Sequence, residues 1–260
     1  MIAYESDIHK MILDNEAIFG DLGKTTVILE KKLHNRHVIA DMLIFSEYRG
    51  IIGIEIKTAH DTTQRLNKQL TAYKEIANEV WVVIADEQYK KVSKVLADNH
   101  HDEVGIISYG QIGEELSPGI VRQPMVPNSF DPKNIYRIMW KSELIVIGNS
   151  LSSSGELIAQ IYTQLAPLEG TVNYEKKGGG YHRRERQRFN KKSMGGQSFA
   201  VTDKMPKEQI IAFIFSRLGT RNAYKLIVDM FITGTNHPDK LLKSYHFKKI
   251  EPMEGEIYGK

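Results

Sequence analysis

Val80-Trp-Val-Val-Ile-Ala85 is six consecutive apolar residues, dominated by β-branched and aromatic types. The run is strand-sized and offers no polar position to water. It therefore needs cover on both faces, which a central strand of an α/β sheet receives. The chain must supply neighbouring strands on either side and helices above and below.

The flanking pattern provides them. Residues 6 to 19 place Ile8, Met11, Ile12 and Ile18 at helical spacing behind Ser6 or Asp7, predicting a first helix that ends near Gly20. Thr25 to Glu30 reads as a strand. His37 to Phe45 and Ile51 to Lys57 read as two more, joined by the polar, Gly-ending connection Ser46-Glu-Tyr-Arg-Gly50. Asp61 can cap a second helix whose Leu66, Leu70, Tyr73 and Ala77 share one buried face. An amphipathic helix to Asp98 and a strand at Val104–Ser108 follow the apolar run. The resulting order is αβββαβαβ, an α/β domain over residues 1–116.

Gly and Pro scattered through the next stretch predict a linker or extended arm over residues 117–134. Residues 135–260 read as a helical region, with helices at Ile135–Ile147, Gly155–Leu165, Pro206–Leu218 and Ala223–Ile232. Ser216 to Lys225 has a faint helix-turn-helix look, but two packed helices describe it better. The helical region is also read as the surface for a protein partner or for a second copy of the chain.

Composition narrows the chemistry. The 260 residues include no cysteine, which excludes disulfides, thiol nucleophiles and thiolate metal sites and leaves oxygen or imidazole as metal ligands. Carboxylates of this kind favour Mg²⁺, with Mn²⁺ as the substitute. No apolar run approaches the roughly 18 residues of a membrane span, and the first residues do not read as an export signal, so a cytoplasmic chain is expected. The formal charge of +3 is unevenly spread. Between Lys176 and Lys192 eight basic residues (Lys176, Lys177, Arg183, Arg184, Arg186, Arg188, Lys191, Lys192) meet one acid, Glu185, which leaves the remaining chain at −4. This segment lies in a Gly-rich loop at 175–197 and has the form of an electrostatic footprint for the phosphate backbone of DNA, or of RNA, with Tyr181 and Phe189 available to stack on a base.

Glu55 and Lys57 stand at i and i+2 of a strand, so they project from one face while Ile56 points to the other. The hairpin folds Asp41 of the preceding strand back beside Glu55. Three charges among apolar β-formers are costly to bury unless they share a ligand. Two acids aimed at one point with an adjacent cation are what phosphodiester hydrolysis with a divalent ion requires. A second Glu-x-Lys, Glu30-Lys31-Lys32, has no acid on a preceding paired strand and reads as a solvated pair. Arg65, Gln69 and Tyr73 recur every four residues along the next helix, where Gln69 and Tyr73 could bond a phosphate or a metal-bound water and Arg65 could pair with phosphate or a site carboxylate. His100-His101, next to Asp98 and Asp102, reads as a polar turn.

The runs Ile39-Ala-Asp41, Gly53-Ile-Glu55-Ile-Lys57-Thr58 and Gln69-Leu-Thr-Ala-Tyr73 resemble the PD-(D/E)XK nuclease superfamily, in particular its RecB-like branch with a Gln-x-x-x-Tyr helix. More narrowly, Glu55 to Tyr73 followed by Val80-Trp-Val-Val is similar to the Sce7726 family. Trp140-Lys-Ser-Glu-Leu144 is similar to the Trp-x-x-Glu-Leu stretch of those chains. The resemblance covers about residues 5 to 110. It implies a restriction-endonuclease-like αβββαβ core and an Mg²⁺-dependent endonuclease acting on DNA. By it, Asp41, Glu55 and the carbonyl of Ile56 would be metal ligands, and Lys57 would position or deprotonate water. The first helix would add an acid, Glu16 in preference to Glu5. Ala40 stands where the superfamily's name-giving Pro would be. The competing expectation is a nuclease fold without catalysis, acting as a DNA-binding or protein-assembly module; the intact Asp41, Glu55, Lys57 set argues against it.

Overall fold

The computed structural model describes residues 4–33, 38–113, 115–153 and 201–234. It divides into two compact units, residues 1–138 with 227–234, and residues 139–226 with 235–260. No helix among the described residues is long and apolar enough to cross a membrane.

The first unit is built on one six-stranded mixed sheet in sequential order. Its strands are β1 (Thr25–Leu33), β2 (Val38–Ser46), β3 (Gly50–Lys57), β4 (Glu79–Ala85), β5 (Gly105–Ile112) and β6 (Glu115–Arg122). β1, β2 and β3 are antiparallel neighbours, β3, β4 and β5 run parallel, and β6 returns antiparallel. The run that begins at Val80 is therefore the fully buried β4, flanked on both sides as its composition demands. Mixed α/β architecture is the outcome.

Each face of the sheet has its own cover. Met42, Ile44, Ile52, Ile54, Ile56, Trp81 and Val83 form one core with Ile8, Met11 and Ile12 of α1 (Glu5–Asp14). Gly105 leaves the space into which the Trp81 ring packs, since a Cβ there would lie 2.6 Å from the ring. α2 (Leu66–Lys74) sets Tyr73 against Gly53 on the opposite face, and α3 (Tyr89–Asp98) buries Val92 and Leu96. The Phe231 ring stacks on Phe45 at 4.1 Å, so residues 227–234 belong with this sheet.

Several boundaries differ from those the periodicity predicts. The first helix stops at Asp14 and continues as a 3₁₀ turn, Glu16–Phe19, closed by Gly20 at φ 82°. α2 begins at Leu66 with Arg65 preceding it, because the Asp61 carboxylate is taken up by the backbone and hydroxyl of Thr58, at 2.7 and 2.8 Å. The segment expected as a linker over 117–134 opens with strand: β6 alternates Leu116 and Pro118 toward the protein and pairs with β5 despite its Pro and Gly. An edge strand tolerates both, which is why the turn-former count misleads. Ile135–Ile147 is two helices, α4 (Pro132–Arg137) and α5 (Lys141–Ser153). The helix expected at Gly155–Leu165 and the basic loop at 175–197 lie outside the described residues.

In the second unit Leu144, Ile147 and Leu151 of α5 and Ile210, Ile214 and Leu218 of α6 (Lys207–Thr233) are buried. α6 is interrupted at Gly219, with φ 71° and ψ 163°, which separates the two helices predicted around it. Asn149 pairs through its side chain with both backbone groups of Val201, at 2.8 and 3.1 Å.

The turn after α3 buries His101 to 2% exposure, with Nε2 at 3.0 Å from Asn67 Oδ1, beside the Lys74–Glu103 ion pair. Burial, reinforced by the Lys74 charge, pushes its pKa down to about 4. A base whose pKa falls on folding contributes stability above its unfolded value of 6.5 that is lost as pH falls toward 4. Denaturant titrations across this window should show wild type losing more stability than His101→Gln.

Candidate active site

The pairing of β2 with β3 ends at Met42↔Ile54. Beyond that rung the two strands are joined through side chains. The Tyr73 hydroxyl accepts from Asp41 N at 2.7 Å and donates to Ile54 O at 3.0 Å. Asp41 Oδ2 in turn accepts from Ile56 N at 2.8 Å. The position of Asp41 is thus fixed from both ends, its amide by α2 and its carboxylate by β3.

Strand parity assigns the face. Gly53, whose absent Cβ would lie 2.4 Å from the Tyr73 ring, looks toward α2, and Glu55 and Lys57 share its parity. Leu43 pairs with Gly53, so Asp41, two residues before it, also belongs to this face. The two acids and the lysine meet at the C-terminal end of β3, on the side opposite the α1 core.

Glu55 has no exposed surface. Its Oε1 pairs with Lys57 Nζ, which also donates to the Ile56 carbonyl at 3.2 Å, while its Oε2 is buried without a hydrogen-bond partner. Burial pushes the Glu55 pKa up to about 8, the Asp41 charge adding to the rise and Lys57 opposing it. Asp41 is also raised by burial, against the pull of the Ile56 amide and of Lys57. Two carboxylates held near one another in low dielectric, one oxygen unsatisfied, form a site that gains from an added positive charge.

The sequence-predicted residues separate into groups. Asp41, Glu55, Ile56 and Lys57 converge. Tyr73 reaches the site fully buried, with its hydroxyl bridging two backbone groups, and so positions Asp41. Gln69 is half-buried with Oε1 unpartnered, and Arg65 is exposed at the start of α2. Glu16 is exposed in the 3₁₀ turn, and the first-helix acid whose charge acts on Asp41 is Glu5. Lys176, Lys177, Arg183, Arg184, Arg186, Arg188, Lys191 and Lys192 lie outside the described residues. Among the described residues no three His, Asp or Glu are grouped closely enough to hold a metal by themselves; the site offers two carboxylates and a backbone carbonyl.

Two contributors were not visible as candidates. Gly53 is the notch that admits Tyr73. Gln88, 1% exposed, donates from Nε2 to the carbonyls of Thr58, Ala59 and Asp61 at 3.1, 2.8 and 3.0 Å, fixing the turn directly after Lys57. A lone Gln carries no periodicity, so only the folded geometry exposes its role.

The family model for bacteriophage P4 protein cII matches residues 2–237. The chain belongs to the bacteriophage P4 protein cII family. The cII match spans the whole sheet, the Asp41, Glu55 and Lys57 cluster, α2 and α6. No curated protein matches the chain, and no solved structure does. What this cII-family member does must therefore be argued from its own side chains.

Removing the Tyr73 hydroxyl would leave a buried amide and a buried carbonyl unpaired. Tyr73→Phe should cost about 2 to 3 kcal/mol in denaturant unfolding, and Gly53→Ala should destabilise by displacing the ring. Glu55, whose pKa is raised from 4.5, contributes stability that is full below 4.5 and lost as pH rises through about 8. Without added metal, wild type should weaken across that interval while Glu55→Gln changes less, as read by melting temperature against pH.

Proposed function

We propose that this chain is a metal-dependent nuclease that hydrolyses phosphodiester bonds in DNA, built on a restriction-endonuclease-like core. The observation that carries this reading is the convergence of Asp41, Glu55 and Lys57 on one face, with Glu55 Oε2 buried and unpartnered. The order α1, β1, β2, β3, α2, β4 supports it, since it is the αβββαβ order expected of such a core.

The donor set fits a hard divalent ion. Asp41, Glu55 and the Ile56 carbonyl would hold Mg²⁺ or Mn²⁺, all through oxygen. Such an ion supplies charge neutralisation at the phosphate and acidifies water. Lys57 carries three N–H donors, two of them directed at Glu55 and Ile56 O, which leaves one for the attacking water or a phosphate oxygen. It orients the nucleophile against the scissile phosphate. Tyr73 and the Ile56 amide keep Asp41 in place, and Gln88 holds the turn that follows Lys57. The basic segment from Lys176 to Lys192 supplies DNA affinity in this reading, and the protein works in the cytoplasm.

The test is incubation of purified protein with supercoiled, linear and single-stranded DNA in Mg²⁺ or Mn²⁺, beside Asp41→Ala and Lys57→Ala. Wild type should cut at least one substrate, and both variants should cut it at least about a hundredfold more slowly while still binding it. If wild type and variants bind DNA yet leave every substrate intact, the chain is a binding module and the nuclease reading fails.

A further inference from the structure

β1 and β2 continue past the point where β3 stops pairing. Their register runs on through Lys31↔Ala40, Lys32↔Ile39 and Leu33↔Val38, whereas the last rung between β2 and β3 is Met42↔Ile54. The two-stranded extension therefore projects beyond Asp41 at the mouth of the site. Its two faces differ. Leu33, Val38 and Ala40 are buried on the face shared with Met42, while Ile39 and Lys32 share the face of Asp41 and are exposed, Ile39 to 54%.

Ile39 and Lys32 thus set an exposed apolar side chain beside an exposed cation at the rim of an acidic site. Glu30 adds an independent observation. It should stand opposite Asp41, but the pairing passes from Leu29↔Met42 to Lys31↔Ala40 without it, and Glu30 adopts φ 51°. A non-glycine residue in the left-handed region costs about 1 kcal/mol or more, and such strain tends to be kept beside functional sites. In regular extended geometry Glu30 would add a carboxylate next to Asp41 on the face that carries Lys32. The charges acting most strongly on Asp41 are instead Lys57 and Glu5. Among the described residues of this face, the extension beside Asp41 carries the exposed Lys32 and Ile39, a cation and an apolar side chain that match the two parts of a nucleotide, its phosphate and its base or sugar.

We propose that the β1–β2 extension is a substrate subsite, in which Lys32 binds a backbone phosphate adjoining the scissile one and Ile39 packs against the neighbouring nucleotide. This rests on the nuclease reading and names where, among the described residues, the DNA strand lies.

The two side chains predict different signatures. Binding of a fluorescein-labelled DNA duplex and of the matching single strand would be followed by anisotropy in EDTA over a range of NaCl concentrations. Lys32→Ala should weaken binding roughly threefold to tenfold and lower the slope of log affinity against log salt by about 1. Ile39→Ser should weaken binding with the slope unchanged. Lys10→Ala, an exposed control on α1, should alter neither. All three positions are exposed, and circular dichroism would verify the fold. If Lys32→Ala and Ile39→Ser match a wild type that binds and cleaves DNA, the subsite is wrong and the nuclease reading stands. A wild type that binds no DNA overturns both.

Discussion

The Tyr73 hydroxyl, held between Asp41 N and Ile54 O, is the contact on which the arrangement of this site depends. A β-ladder that ran on past Met42 and Ile54 would close the space between β2 and β3 with direct backbone bonds. A phenol in that position satisfies both backbone groups and keeps the strands apart, and the gap admits the Asp41 carboxylate to the Ile56 amide. Removal of the phenol would leave the same residues in sequence but not in register.

That geometry explains why so much charge is tolerated in an apolar region. Glu55 is enclosed by a sheet whose neighbouring strand, β4, is apolar in six of its seven residues. Lys57 compensates one carboxylate oxygen, and the raised pKa values of Glu55 and Asp41 register what is left over. Such an excess is unfavourable for stability alone, because an apolar substitution would pack with less desolvation.

Much of the sheet was legible beforehand because burial leaves a periodic trace. β4 reads as a central strand because its unbroken apolar run is rich in β-branched residues, whereas the equally long run Ile210–Phe215 lies in helix α6, and Glu55-Ile-Lys57 declares its face through alternation. The parts that escaped have physical reasons. β6 carries Ser117-Pro-Gly119, residues that signal a loop in the interior of a sheet but are harmless on its rim. Asp61 reads as a helix cap, yet its carboxylate bonds the backbone and hydroxyl of Thr58 in a local turn. Tyr73 showed its position by spacing but not its partner, since the donor and acceptor it meets belong to the backbone and backbone groups are the same in every sequence. Gln88 and Gly53 act through one bond set and one missing methyl, neither of which has a pattern to read.

The notch at Gly53 ties two distant positions into one unit. Any side chain there would occupy the volume of the phenol ring, and any smaller residue at 73 that made room for it would forfeit the bridge to Asp41. Drift at either position is therefore blocked by the other, even though nineteen residues of chain lie between them. The interior glycine of β3 and the one aromatic of α2 form a lock whose halves can change only together.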